Sequence, residues 1–117
     1  MPQYQAPLTD FAFLLNDWLQ IDEHYQRINA AGMDSELALE VLNQGAKFAE
    51  YEIAPLNQSG DEQGCRLVDG NVATPDGFAA AYHTYIANGW NAMLGDPNYD
   101  GQDLPYSMAI PCPLYTS

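Results

Sequence analysis

The sequence predicts a single, mainly α-helical domain with one short hairpin-like excursion, and three observations lead to this class. Apolar residues recur at helical spacing in three separate segments. A hairpin signal, Asp69-Gly70, lies between β-prone runs that are too short to build a larger sheet. The chain has 117 residues, 47% of them hydrophobic, which is enough to bury a small core but too short for two domains.

The first predicted helix begins at Thr9 or Asp10, because either side chain can cap a helix N-terminus. Four apolar residues at i, i+3, i+4 and i+7 form one face of this helix: Phe11, Leu14, Leu15 and Trp18. The pattern ends near Asp22. We therefore expect a polar connection from Asp22 to Gly32.

The second predicted helix begins at Asp34 or Ser35, with Glu36 favourably placed near the positive end of the helix dipole. Its apolar stripe comprises Ala38, Val41, Leu42, Phe48 (or Ala49) and Ile53, with Gly45 on or near it. Pro55 predicts an end or a kink, because proline lacks the backbone N–H and clashes with the preceding turn. The boundary is expected at Ala54, followed by a turn-rich connection over residues 57–65.

The third predicted helix begins at Thr74-Pro75, a capping hydroxyl followed by proline at the first helical position. One face carries four large side chains: Phe78, Tyr82, Tyr85 and Ile86. Asn88-Gly89 provides a left-handed stop. From Trp90 onward we expect a loop, because the end of the chain, AIPCPLYTS, contains two prolines that rule out a regular helix.

Charge and cysteine usage exclude several classes of function. Three basic residues stand against 16 acidic ones, which gives a net charge of −13. Such a surface repels phosphates, so we expect neither nucleic acid nor anionic membranes as partners. No stretch approaches the roughly 20 apolar residues that span a bilayer, and MPQYQAPLTD lacks the features of a secretory signal. Cys65 and Cys112 lack metal-ligand spacing and are interpreted as free thiols, which indicates a cytoplasmic location; a disulfide between them is the alternative.

The stretch DPNYDGQDLP, residues 96–105, is the one candidate metal loop. Asp96, Asn98, Asp100 and Gly101 match the opening of an EF-hand calcium loop. The twelfth position, which should be a bidentate glutamate, is Ser107, and Pro105 lies inside the loop. The same residue types also make ordinary surface turns. We therefore assign no metal ligands and keep calcium binding only as an alternative hypothesis.

No other residues form a recognisable reactive constellation. His24 and His83 are far apart and have no second ligand at helical spacing. Arg66 beside Cys65 favours the thiolate, whereas the nearby Asp61 and Glu62 oppose it. Nucleophile-elbow, P-loop and dinucleotide-binding glycine motifs are absent from the sequence. We assign no catalytic and no cofactor-binding residue.

Four blocks of the sequence resemble, in order and spacing, the large class of acyl-CoA dehydrogenases with an N-terminal YxAPLxD extension. The blocks are YQAPLTDFAFLL at 4–15, KFAEYEIAPLNQSGDEQGC at 47–65, VATPDGFAAAYHTYIANGW at 72–90 and DPNYDGQDLP at 96–105. In the first block the matching residues are Tyr4, Ala6, Pro7, Leu8, Asp10 and Phe13. The resemblance covers about residues 3 to 106.

This resemblance implies a fold and an activity for full-length members. Such enzymes hold FAD, act in fatty acid metabolism, and remove two hydrogens across the Cα–Cβ bond of an acyl-CoA thioester. A carboxylate base takes the α-proton and the flavin takes the β-hydride. The N-terminal helical domain packs on a middle β-domain and a C-terminal four-helix domain, which supply the base and the main flavin and CoA contacts. The resemblance therefore implies FAD for the family and none held by this chain alone.

Two departures from the family pattern shape our interpretation. Asp100 and Asp103 replace family glycines, so the turn loses two residues that adopt positive φ freely; aspartate tolerates such conformations better than most residues, at a steric cost. After Pro105 the family continues into a helix, whereas this chain reads YSMAIPCPLYTS. We interpret residues 1–106 as an acyl-CoA dehydrogenase N-terminal segment and 107–117 as a divergent, proline-containing tail, the whole being a truncated fragment.

This interpretation makes the chain a packing segment without activity of its own, whose partner is the rest of the fold. Because the partners of its apolar faces lie elsewhere, we also expect marginal stability or self-association. The alternative hypothesis is a small acidic binding module, with calcium as a candidate ligand at the Asp96 loop.

Overall fold

The computed structural model describes residues 3–30 and 32–111, and it is mainly α-helical, as the sequence predicts. The α-helices over these residues are α1 (Leu8–Ala12), α2 (Ile21–Arg27), α3 (Ser35–Phe48), α4 (Ala54–Gln63) and α5 (Phe78–Ala87). The strands are β1 (Arg66–Val68) and β2 (Asn71–Ala73). The remaining elements are π-helical segments at Phe13–Trp18 and Ala49–Ile53 and 3-10 turns at Trp90–Ala92, Pro97–Tyr99 and Tyr106–Met108.

A π-helical segment carries the chain from α3 into α4 past Pro55. The predicted boundary at Ala54 is where α4 begins, but the helical path continues instead of stopping. In the widened turn before the proline, the Ala54 backbone N–H donates to the Ala49 carbonyl, five residues back, so the helical path continues although Pro55 has no N–H to donate. The predicted turn-rich connection is therefore wrong for residues 57–63, which are helical. Gly64, with φ of +65°, ends α4.

The start of the chain also differs from the prediction in two places. α1 begins at Leu8 without a capping side chain, so neither Thr9 nor Asp10 is its cap. Residues 21–27 form α2 instead of a polar connection, because Ile21 and Tyr25, one helical turn apart, are both buried. The first helical path does end close to Asp22, as expected, because Gln20 takes a left-handed conformation just before α2.

The predicted start of α3 is confirmed, and its predicted apolar stripe is confirmed for Ala38, Leu42 and Phe48, whereas Val41 is half-buried and Ile53 is half-buried in the π-helical segment after α3. The Asp34 side chain accepts a hydrogen bond from the Leu37 backbone N–H at 2.7 Å, as an N-cap does. The buried residues of α3 are Ala38, Leu42, Gly45, Ala46 and Phe48. A buried glycine at position 45 agrees with its predicted place on the stripe.

The hairpin is also confirmed, with Leu67 opposite Val72 and a two-residue turn at Asp69-Gly70. Both turn residues have positive φ, +50° and +80°, as the tightest hairpin turn requires. α5 begins at Phe78 and not at Thr74-Pro75, so that predicted start is wrong. The predicted end is correct, because Gly89 has φ of +78°.

The described chain forms a thin layer with a small core. Its extents are 55 × 38 × 15 Å, and its radius of gyration is 16.9 Å, against roughly 13 to 14 Å for a compact domain of this length. The core packs α2 and α3 against α1 and two methionines, and its buried members are Leu15, Ile21, Tyr25, Ala38, Leu42, Ala46, Ala49, Met93 and Met108. The layer is thin relative to its width, and many large apolar side chains remain exposed on it, so much of the apolar surface has no second layer over it.

Candidate functional site

A cavity of about 330 Å³ lies between α3, α5 and the loop that follows α5. Phe48 of α3 and Tyr85 of α5 form two of its walls, and Trp90 and Met93 come from the loop. The full lining is Gly45, Phe48, Tyr85, Trp90, Asn91, Ala92, Met93, Leu94, Gly95 and Ala109. None of these residues carries an acidic or basic side chain, so the cavity suits an uncharged, largely apolar occupant.

Three aromatic rings set the shape of this cavity. The Phe48 ring lies 6.1 Å from the Tyr85 ring and 6.4 Å from the Trp90 ring, centroid to centroid, with tilted planes. Aromatic pairs favour such offset arrangements. The helical stripe brings Phe48 to this position, and the left-handed stop at Gly89 turns the chain so that Trp90 faces back toward α3.

The indole N–H of Trp90 is the one buried side-chain polar atom without a hydrogen-bond partner in the part of the chain that the structure describes. Buried donors normally find an acceptor, because leaving one unpaired costs about 1–3 kcal/mol. Sequence reasoning placed Trp90 at the start of a loop and gave it no role. Only the packing around it reveals this orphan donor.

A second, more polar depression shares two lining residues, Phe48 and Trp90, with this cavity. It measures about 510 Å³ and is open to solvent. Its polar and charged lining residues are Glu40, Gln44, Lys47, Glu52, Thr84, Asn88 and Gln102. The opposing charges and the open shape are typical of a solvated surface groove.

The loop at residues 96–105 is a tight turn in the structure. The Asp96 carboxylate accepts a hydrogen bond from the Asn98 backbone N–H at 2.8 Å, capping the 3-10 turn at Pro97–Tyr99. Asp100 and Asp103 have φ of +64° and +51°, so both positions where the family has glycine require the left-handed conformation, as expected. Among the described residues, no group of three or more His, Cys, Asp or Glu side chains could hold a metal. A calcium loop also uses amide and backbone oxygens, so the calcium hypothesis stays a prediction.

The structure does not bring the other sequence candidates together. His24 lies on α2 beside Tyr25, and His83 lies on α5 beside Tyr82. Cys65 is an exposed free thiol. Cys112, like residues 113–117 of the predicted tail, lies outside the described residues.

The segment just after Pro105 is anchored to the core through Tyr25. The Tyr25 hydroxyl lies 2.8 Å from the Ser107 hydroxyl and 3.7 Å from the Met108 sulfur, and Met108 is fully buried. Burial raises the pKa of Tyr25, while the hydrogen bond to Ser107 lowers it and the Asp22 carboxylate raises it. No local pattern in the sequence indicates this contact, which joins residues 82 positions apart.

The described residues do not fit FAD, the cofactor that the family resemblance implies. A dinucleotide carries two phosphates, which proteins hold with basic side chains or helix N-termini. The three basic residues, Arg27, Lys47 and Arg66, lie on three different elements, and none lines the aromatic cavity. The surrounding net charge of −13 opposes a phosphate as well.

The chain is similar in sequence to two curated acyl-CoA dehydrogenases. No family profile matches the chain. Similar curated proteins include 3-methylmercaptopropionyl-CoA dehydrogenase of Ruegeria pomeroyi, 33% identical over 105 residues, and butyryl-CoA dehydrogenase of Syntrophomonas wolfei, 28% identical over 108 residues. The alignments cover 87% and 85% of this chain, and the chain spans 17% of the length of each relative. No helix in the described ranges has the length and apolar character needed to cross a membrane.

Proposed function

Because this chain belongs to the acyl-CoA dehydrogenase family, we propose that it forms the N-terminal helical segment of such an enzyme and acts there as a packing scaffold. Both relatives are named as dehydrogenases of acyl-CoA thioesters. In the proposed enzyme, FAD and a carboxylate base from other parts of the fold remove two hydrogens across the Cα–Cβ bond. The location proposed for the enzyme is the cytoplasm.

The exposed apolar surface is the observation that carries this proposal. α5 consists mostly of apolar residues, yet none of its residues is buried. Its large side chains Phe78, Tyr82 and Ile86 are 39%, 61% and 38% exposed. The hairpin is similar, with Leu67 76% exposed. Monomeric proteins rarely leave such large apolar groups unpaired in one region. A thin layer with this much exposed apolar surface needs a second layer, which the rest of an acyl-CoA dehydrogenase would provide.

The 117-residue chain alone is proposed to be without dehydrogenase activity. Two features of the described residues support this proposal: the cavity has no basic side chain for the flavin phosphates, and we assign no catalytic base. Purified chain would be mixed with FAD, acyl-CoA substrates of several lengths and an electron-acceptor dye. We expect no dye reduction above the protein-free rate, with the Ruegeria pomeroyi enzyme as a positive control. Dye reduction that depends on both chain and acyl-CoA would contradict the proposal.

A chimera tests the scaffolding role directly. The aligned segment of the Ruegeria pomeroyi enzyme would be replaced by the aligned residues of this chain. If the two segments are equivalent scaffolds, the chimera should fold and retain bound FAD. A matched chimera carrying Tyr82→Glu and Ile86→Glu should lose most of the flavin, because two charges would be buried at the proposed packing face. Equal flavin retention in both chimeras would argue against α5 as that face.

A further inference from the structure

We propose that Asp69, in the hairpin turn, is a site of spontaneous backbone modification in the 117-residue chain, where it isomerises to isoaspartate after attack by the Gly70 nitrogen. Four places in the sequence pair an aspartate or asparagine with a following glycine: Asp69-Gly70, Asp76-Gly77, Asn88-Gly89 and Asp100-Gly101. Glycine has no Cβ to obstruct its nitrogen, so the sequence allows all four sites. The structure selects the first of them. This inference goes beyond the scaffolding role and does not depend on it.

The reaction needs no partner other than water. The Gly70 backbone nitrogen bonds to the side-chain carbonyl carbon of Asp69, and the carboxyl hydroxyl leaves with the proton of that nitrogen as one molecule of water. A five-membered succinimide ring results. Water then adds back to the ring. Cleavage at the side-chain carbon restores aspartate, whereas cleavage at the main-chain carbonyl carbon gives isoaspartate, whose backbone is one methylene longer. Nothing is oxidised or reduced.

The hairpin gives this attack the freedom that it requires. Every residue from 65 to 72 is exposed, and the two strands have three residues each. A Cβ on Gly70 would meet no atom within 4 Å. In the part of the chain that the structure describes, the Gly70 N–H has no hydrogen-bond partner. A two-stranded hairpin without a covering layer is marginally stable, so the turn opens at little cost in free energy.

At two of the other sites the attacking nitrogen is already engaged. The Gly89 N–H donates to the Ile86 carbonyl at 3.0 Å. The Gly89 carbonyl also accepts a hydrogen bond from the Gln102 side chain at 3.0 Å. The Gly101 N–H donates to the Asp96 carbonyl at 3.0 Å. Because these bonds must break before the nitrogen can attack, each of them lowers the reactive population roughly 5-fold.

The remaining site, Asp76-Gly77, is held on both sides of the reacting pair. The Asp76 N–H donates to the Gln63 side chain at 2.9 Å, and the Gly77 carbonyl accepts from the Ala81 N–H at 3.0 Å. A Cβ on Gly77 would lie 2.7 Å from a Leu56 methyl carbon, so the Leu56 side chain packs directly on this glycine. The hairpin turn is therefore the least restrained of the four sites.

Ageing of the purified 117-residue chain tests this assignment. The chain and four synthetic peptides, each spanning one site, would be incubated side by side in the same neutral buffer for several weeks. Peptide mapping by liquid chromatography separates isoaspartate from aspartate. A purified isoaspartate methyltransferase identifies isoaspartate by methylating its free carboxylate. For each site, the rate in the chain is divided by the rate in its peptide, so that every site is its own reference.

The expected ratio is within about 3-fold of one for Asp69 and at least roughly 5-fold lower at each of the other three sites. Asp69→Glu should abolish the reaction at this position, because the longer side chain would need a six-membered ring. Asp69→Asn keeps a preferred turn pair and should react faster, because ammonia leaves the amide more readily than water leaves the carboxylate. Gln102→Ala, which removes the bond to the Gly89 carbonyl, should raise the ratio at Asn88 roughly 5-fold and leave that of Asp69 unchanged.

Two outcomes would overturn the proposal. The first is an Asp69 ratio as low as the ratios of the other three sites. The second is a peptide-like rate at all four sites, because the structure would then not select among them. An unchanged ratio at Asn88 in Gln102→Ala would also contradict the proposal, since hydrogen bonds would not set the order of the sites. None of these results bears on dye reduction or flavin retention, so failure of this inference is distinguishable from failure of the scaffolding proposal.

Discussion

Gly95 and Gly101 pack backbone against backbone, so closely that a Cβ on Gly101 would overlap the Gly95 carbonyl group. Around this contact, three backbone N–H groups of the 101–104 segment donate to carbonyls of the 92–95 segment, with lengths of 3.0 Å: Gln102 to Ala92, Asp103 to Gly95 and Leu104 to Met93. The glycine is required here for close approach and not for its conformational freedom, since its φ is not positive.

Replacing Gly101 with alanine should therefore destabilise the protein strongly. The overlapping atoms belong to the backbone and cannot rotate away, so the 101–104 segment must separate from the 92–95 segment. We expect a loss of about 3 kcal/mol in the free energy of unfolding. Urea denaturation followed by circular dichroism measures it.

The matched control is Gly70→Ala, at the hairpin-turn glycine with φ of +80° and open space around the Cβ position. It should cost only about 1–2 kcal/mol, for the left-handed conformation alone. Equal losses in the two variants would show that the Gly95 contact does not limit position 101.

The double change Asp100→Gly with Asp103→Gly should stabilise the fold. Both aspartates hold left-handed backbone, which costs an L-residue energy that glycine avoids. Greater freedom of glycine in the unfolded chain offsets part of this gain. We expect a net increase of about 1 kcal/mol in the free energy of unfolding.

Calorimetric titration with calcium of the natural protein, of Asp96→Ala and of the double glycine variant tests the calcium alternative. Micromolar calcium binding that disappears in Asp96→Ala and in the double glycine variant would favour an acidic binding module. Without a calcium site, Asp96→Ala should only lose the bond to Asn98 N–H, at a cost of about 1 kcal/mol.

Tyr25→Phe should destabilise the protein by about 1 kcal/mol. The change removes the hydroxyl that lies 2.8 Å from the Ser107 hydroxyl while keeping the buried ring. Ser107→Ala should have a similar effect, and the double variant should cost less than the sum of the two, because both remove the same bond. Strict additivity in this cycle would mean that the hydrogen bond contributes nothing.

The pKa of Tyr25 also predicts a pH dependence. Burial raises this pKa in the folded protein, so the unfolded chain loses its proton first, near pH 10. The stability contributed by Tyr25 is complete below pH 10 and is lost as pH rises through the folded pKa. Urea midpoints from pH 8 to 11.5 should therefore fall more steeply for the natural protein than for Tyr25→Phe. Parallel curves would contradict this prediction.

Self-association is expected from the exposed side of α5. Sedimentation velocity should show mass increasing with protein concentration, and Tyr82→Gln with Ile86→Gln should shift the chain toward monomer. His83→Gln, a change on the same helix that leaves both apolar side chains in place, is the control. A sharp, cooperative melt of a monomeric natural protein would contradict both this prediction and the expected marginal stability.

Local chemistry explains which elements could be predicted. The Asp34 cap, the buried stripe of α3, the Asp69-Gly70 turn and the Gly89 stop each depend on a few neighbouring residues, so the sequence shows them directly. α2 was missed because only two of its residues are buried, which leaves too weak an apolar pattern. The helical path through Pro55 into α4 is not predicted, because it depends on a π-helical segment just before the proline. No local sequence pattern indicates that segment.

The sequence by itself determined the mainly α-helical class, the hairpin, the family resemblance and the left-handed positions of the 96–105 turn. The tertiary structure alone decided where distant segments meet: Tyr25 with Ser107, Gly95 with Gly101, and Phe48 with Trp90. Only these meetings create the aromatic cavity, the unpaired indole N–H and the uncovered face of α5. Helix periods and turn preferences are short-range properties of the chain, whereas cavities and unpaired donors arise from packing between elements, which no local pattern encodes.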